Sequence, residues 1–293
     1  MKIRLMENFR AIFYAPYYAT HALGFYTNEG VDVELISSDA PGNAISHLAD
    51  GTIDLTWGGP MRVMMAHDQD ERSPLVCFGE VVSRDPFFLI GNSRDFKLSD
   101  LARLRFAAVS EVPTPWMCLQ HDLRAAGIDP AAVRRIHGRT MPDNYAALRD
   151  KRIDVMQAFE PFASQAAIDR AGEILYAASS RGPTVYTTFI TTRSKAASHR
   201  DGFTAIVRAL AKMQQWLHTH SGKELAEAVA SFFSDVPREL LVCSLQRYLD
   251  AGLWAREPAM SQSGFERLGS SFLSGGCLQR KPVFENCVDI GLA

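Results

Sequence analysis

Apolar and polar positions along this chain follow two periods, and the switches between them mark its elements. Val31, Val33 and Leu35 alternate with Asp32 and Glu34, the pattern of a half-buried strand. Upstream, Tyr18, Ala22, Phe25 and Tyr26 fall at helical spacing and predict one helix over 17–28. Pro16 suits its start, having a fixed φ and no N–H, and Gly30 suits a left-handed cap after its end. Lys2-Ile3-Arg4-Leu5 reads as the first strand. Further strands are expected at 53–56, in LVCFGEVVS, in PFFLIGNS and at 184–192, a run rich in β-branched and aromatic residues. Beyond 192 the period is helical throughout. Phe203, Ile206, Ala209, Leu210, Met213 and Leu217 form one apolar stripe there.

The segment HLADGTIDLTWGGP at 47–60 echoes ALRDKRIDVMQAFEP at 147–161, pairing Leu48 with Leu148, Asp50 with Asp150, Ile53 with Ile153 and Asp54 with Asp154. Each copy reads as helix, turn, Ile-Asp strand and proline-bounded end. The repeat predicts an α/β architecture of two lobes, each a mixed sheet flanked by helices, with a cleft between them. The division falls at residues 1–87 with 191–293 for one lobe and 88–190 for the other. Crossings near 84–90 and 184–192 are the expected hinges for closure on a ligand.

Composition narrows the function. A chain of 293 residues that is 47% hydrophobic can bury a sizeable core, and a formal charge of −2 gives no broad attraction to nucleic acid or to an anionic membrane. The five cysteines are scattered, with no CxxC or Cys/His cluster, so neither a metal nor a cofactor is expected. No stretch is long and apolar enough to insert into a membrane. GxSxG, HExxH and a nucleotide-binding GxGxxG are all missing. Nothing in the chain demands catalysis.

Pro16, Tyr17-Tyr18, a helix ending Gly24-Phe25-Tyr26, then Glu29-Gly30 and Val31-Asp32-Val33 resemble the opening of bacterial solute-binding proteins of the sulfonate/nitrate and thiamine-precursor type. That group also contains the yeast-type pyrimidine synthase. The resemblance implies a type 2 periplasmic-binding-protein-like fold and a role as the substrate-binding component of an ABC-type importer, with an ABC permease as partner. Exported relatives carry a leader, and MKIRLMENFRAIFYAPYY has no signal-peptide pattern. A removed leader would mean a periplasmic protein, whereas a sequence complete as given would mean a cytoplasmic one. The alternative reading is therefore a cytoplasmic enzyme or ligand sensor on the same fold. Against the enzyme branches, Tyr14 stands where the synthase has its histidine, and there is no cysteine-rich run. Residues 9–30 also lack the cysteine of the desulfinating branch.

Within that resemblance the loop before the first helix lines the cleft, which places Phe13, Tyr14 and Tyr17 at the ligand. Trp57, Trp116, Phe159 and Tyr186 would add flat apolar walls, favouring a pyrimidine-like or aromatic ligand over sulfonate or nitrate. Gly58 and Gly59 would let backbone approach the ligand closely. Thr114 reads as a helix N-cap ahead of Pro115, offering free N–H groups. Glu160, just before Pro161 at a strand end, is expected at the cleft mouth as acceptor for a ligand amine or ring N–H.

Overall fold

The structure is a computed structural model and describes every residue but Asp39, Arg94 and Ala293. Strands β1 (Lys2–Met6), β2 (Asp32–Ile36), β3 (Leu55–Gly58) and β4 (Leu75–Val82) come early in the chain. A second set comprises β5 (Phe88–Gly91), β6 (Phe106–Ala107), β7 (Arg135–Ile136), β8 (Val155–Ala158) and β9 (Glu173–Ala177). The last strand, β10 (Thr187–Thr192), returns to the first set. The result is two five-stranded mixed sheets, ordered β2-β1-β3-β10-β4 and β7-β6-β8-β5-β9. Their topology is the same. In each, a central strand is flanked by two parallel partners, and then an antiparallel strand is inserted: β10 between β3 and β4, β5 between β8 and β9.

Helices α1 (Ala15–Ala22), α2 (Phe25–Asn28), α3 (Ala44–Ala49) and α4 (Met61–Gln69) intersperse the first sheet's strands, and α5 (Thr114–Ala125), α6 (Met141–Arg149) and α7 (Phe162–Ile168) the second's. After β10 come α8 (Arg193–Ser198), α9 (Arg200–Leu217), α10 (Gly222–Val229), α11 (Arg238–Asp250), α12 (Gln262–Ser274) and α13 (Phe284–Cys287). The six stripe residues of α9 are all buried, as their spacing predicts.

The repeat in the sequence is a repeat in space. Asp54 Oδ2 accepts from Arg4 N at 2.9 Å while Arg4 Nη2 donates to Gly51 O at 2.8 Å. In the second sheet Asp154 Oδ2 accepts from Arg105 N at 2.8 Å, and Arg105 Nη2 donates to Lys151 O at 3.0 Å. One clamp, from the turn before a strand to its parallel neighbour, is used twice.

Three expectations shift. The helix over 17–28 is two helices, because Gly24 adopts φ +74° and reverses the chain between α1 and α2. The strand expected at 53–56 starts at Leu55, since Asp54 is engaged by the Arg4 clamp. Strand β10 starts at Thr187 and lies wholly in the first sheet, so a division drawn at 190/191 cuts through it.

The crossings are tied together by buried charge. Arg181, on the way back from β9, pairs through Nη1 with Asp85 of the outward crossing at 2.8 Å. Its Nε reaches Asp122 Oδ1 of α5 at 2.7 Å, and Tyr176 donates to Asp122 Oδ2 at 2.8 Å. The tail helices pack against both sheets' ends: Trp254 Nε1 donates to Phe13 O at 2.8 Å, and Tyr248 OH donates to Pro86 O at 3.1 Å.

Candidate functional site

Where the crossings meet the loop before α1 lies a partly open cavity of about 30 Å³. At roughly 10–15 Å³ per water this is a narrow cleft with room for about two waters. Asn8, Phe9, Phe13 and Tyr14 of the loop form one wall, and Gly59, Met61 and Arg62 of the β3–α4 turn form another. Phe87, Tyr186 and Thr187 of the crossings, with Val112 and Thr114 at the start of α5, complete the lining. Residues of both lobes therefore contribute.

The walls are aromatic because the chain brings its rings to the ends of the strands. Phe13 and Tyr14 centroids are 4.3 Å apart, and Phe9 meets Tyr14 edge-on at 5.3 Å. Asn8 Nδ2 donates to Tyr14 OH at 3.1 Å, and Gly42 N donates to Asn8 Oδ1 at 3.0 Å. That network fixes the phenol. Burial pushes the Tyr14, Tyr17 and Tyr186 phenols well above their ordinary value, so all three stay neutral. Among the described residues, Tyr186 OH is buried without a hydrogen-bond partner.

Of the residues expected at the ligand, Phe13, Tyr14, Gly59, Thr114 and Tyr186 line the cavity. The others stand elsewhere, each for a physical reason. Tyr17 and Trp57 stack face to face at 4.6 Å, one layer behind Tyr14 and buried in the first lobe's core. Gly58 sits behind Asn8, where a Cβ would come within 3.6 Å of the amide. Trp116 lines a separate hollow of about 430 Å³, with the Arg135 guanidinium 4.3 Å over its ring. Phe159 buttresses the wall from outside the lining, 5.3 Å from Phe13 and 5.2 Å from Phe87.

Glu160 is not at the cleft mouth. It is fully buried and turned toward the tail, where its carboxylate accepts from Ser164 N and Oγ, both at 2.9 Å, and from Arg247 Nε at 2.7 Å. Thr114 is the first residue of α5 rather than its cap. Pro113 holds the cap position, and no side-chain cap bond forms.

Asn8, Phe9, Met61, Arg62, Phe87, Val112 and Thr187 line the cavity without having been singled out in the sequence. Arg62 carried the one available signal, being the second residue of a helix entered through Gly-Gly-Pro. Among the described residues no Asp, Glu, His or Cys lines the cavity. Among them, too, no His/Cys/Asp/Glu group is arranged to hold a metal ion, and no helix is long and apolar enough to cross a membrane.

Two lobes of one topology closing on a small cavity between them define a periplasmic-binding-protein fold. Residues 12–223 match the family described as NMT1/THI5 like, and the chain belongs to that family. YtlA of Bacillus subtilis (strain 168), whose name calls it a putative binding protein, is 24% identical over 296 residues, spanning 100% of this chain and 89% of YtlA. The fold is shared with the periplasmic aliphatic sulphonate binding protein SsuA from Escherichia coli. That superposition has a TM-score of 0.78 at 15% identity and covers 100% of this chain and 99% of SsuA. It is shared as well with the desulfurization enzyme DSZB, at a TM-score of 0.72 and 13% identity, over 99% of this chain and 97% of DSZB.

Proposed function

We propose that this protein is a solute-binding protein, the substrate-binding component of an ABC-type importer. In this reading the lobe built on the first sheet, β10 and the tail helices included, and the lobe built on the second sheet close over a small planar or anionic ligand. The observation that carries it is the narrow cavity between the lobes, walled by Phe13, Tyr14, Phe87 and Tyr186 and lined by residues of both. A cleft of that construction takes an aromatic or otherwise flat body between rings and orients it by a few polar groups. Admission requires the lobes to part, with residues 84–90 and 178–186 absorbing the backbone change. An ABC permease is the implied partner, and in this reading the protein works on the periplasmic side of the membrane.

The likeness to DSZB raises an enzymatic reading, which the chemistry of the cavity does not favour. No described lining residue is a cysteine, and Cys118 on α5 is buried with its thiol pushed up to about 12. The test is a thermal-shift screen against pyrimidines, aromatic acids, sulfonates and nitrate, followed by calorimetry and small-angle scattering of the hits. A hit should raise the melting temperature by linkage and leave the scattering profile of a closed molecule. Turnover of a hit would establish the enzyme reading instead.

A further inference from the structure

Among the described residues Arg62 is the cavity's one charged lining residue, and its side chain has no ion-pair or hydrogen-bond partner among them. Its Nε is buried and unsatisfied. Arg62 is only partly buried, so the cost is that of one buried N–H left unpaired on a cation that faces no counter-charge. The fold nevertheless holds it in place. Gly42, at φ +91°, lies against the guanidinium so closely that a Cβ there would stand 2.5 Å from Nη1. The backbone N–H of the same Gly42 is pinned by Asn8, which also fixes Tyr14. No described carboxylate lines the cavity, and Tyr186, whose OH is a second unsatisfied polar group, lines it too. Burial lowers the Arg62 pKa, yet a guanidinium remains charged at any physiological pH.

We infer that Arg62 is the receptor for an oxyanion head group, a carboxylate or sulfonate, on a ligand whose flat body lies against Phe13 and Tyr14. A guanidinium offers planar, paired donors that match such a group in bidentate fashion. The inference rests on the solute-binding reading and adds the charge of the ligand to it. It also replaces the amine-bearing ligand that a cleft-facing Glu160 would have implied.

Two matched pairs of probes test it by calorimetry at low ionic strength: benzoate against benzamide, and benzenesulfonate against benzenesulfonamide. The wild-type protein should bind at least one anion about tenfold or more tightly than its neutral partner. Arg62→Gln should abolish that preference, and Arg62→Lys should keep part of it. A readout without ligand separates this role from a structural one. Removing an uncompensated charge should leave the melting temperature of ligand-free Arg62→Gln unchanged or higher. A fall of several degrees in that variant would make Arg62 a structural residue and overturn the inference. Equal binding of anions and neutral partners would overturn it while leaving the solute-binding reading intact. Failure of all four probes to bind at millimolar concentration would remove the aromatic-oxyanion assignment, and failure across the wider screen would remove the solute-binding reading beneath it.

Discussion

The two lobes carry the same strand order and the same Arg–Asp clamp, then diverge at the residues just past the repeated strand. In the first lobe Trp57 leads into Gly58-Gly59-Pro60, which lies against Asn8 and the carbonyl of Tyr186 beside the cavity. In the second, Gln157-Ala158 leads into Phe159-Glu160-Pro161. Here Phe159 props the aromatic wall and Glu160 grips α11. One lobe ends its strand in a cavity wall, while the other ends it in an anchor. A repeated scaffold thus diverges into a cavity wall and an anchor through three residues at the end of one strand.

The sharpest way to break this comparison is at the anchor's companion, the buried Arg181 that joins Asp85 and Asp122. Burial raises the Asp85 pKa while Arg181 opposes the rise. Arg181→Met would leave two carboxylates without their cation. The expected loss is about 3–5 kcal/mol in urea denaturation, the usual range for orphaning a buried charge. Combining it with Asp85→Asn and Asp122→Asn should recover much of that loss, because no uncompensated charge would then remain. Glu160→Gln comes next. It exchanges charge-assisted bonds from Arg247 and Ser164 for neutral ones, and about 1.5–3 kcal/mol should be lost. Ligand affinity should stay within about twofold, since the side chain does not line the cavity.

A smaller asymmetry concerns pH. Glu80 on β4 is buried, with Oε2 accepting from Ser261 N at 2.9 Å and Oε1 unpartnered among the described residues. The matching strand of the second lobe, β9, carries only the exposed Glu173. Desolvation pushes the Glu80 carboxyl up to about 7 from an ordinary 4.5. A raised acid binds more protons folded than unfolded, so its penalty is absent below about pH 4.5 and grows as pH rises toward 7. Glu80→Gln should therefore gain about 2 kcal/mol relative to wild type at about pH 8 and little at about pH 4.5. Urea midpoints at the two pH values would measure it. A gain equal at both would place the effect in packing instead.

Much of the frame was legible from residues alone. The Asp54/Asp154 echo disclosed two lobes because a clamp needs the same residues at the same spacing wherever it is built. The α9 stripe disclosed a packed tail helix for the equally local reason that burial follows period. The cavity was half legible. The family resemblance and ring content pointed to Phe13, Tyr14 and Tyr186, but an aromatic looks the same in sequence whether it lines a cavity or, like Trp57, stacks one layer behind. Glu160 shows the limit of face-reading most clearly. Its position at a strand end was recoverable, whereas its partner, Arg247, lies 87 residues further along the chain. Asn8, Phe87 and Thr187 join the site only through long-range contacts that no local pattern encodes.

The finest comparison is between the two clamp aspartates themselves. Burial disfavours the charge on Asp54, but Arg4 and Lys195 more than offset that and hold its carboxyl at about 2. Lys195 Nζ lies 2.6 Å from Asp54 Oδ1 and comes from α8, so the clamp of the first lobe is closed by the returning chain. Asp154 has Arg105 alone among the described residues, whose hydrogen bonds lower its pKa, and its side chain is 34% exposed against 5% for Asp54. Solvent screening discounts both, the second more heavily. Asp54→Asn is expected to cost about 1–2 kcal/mol at about pH 7 and Asp154→Asn under about 1 kcal/mol. Both folded pKa values lie below the ordinary 3.8, so each contribution is present above that pH and is lost as pH falls through the folded value. For Asp54 the loss extends down to about pH 2, and the gap between the two variants should close across that window. Equal costs at neutral pH would mean that Lys195 adds nothing to the clamp, and Lys195→Met, which should bring Asp54→Asn down to the cost of Asp154→Asn, would then be silent as well.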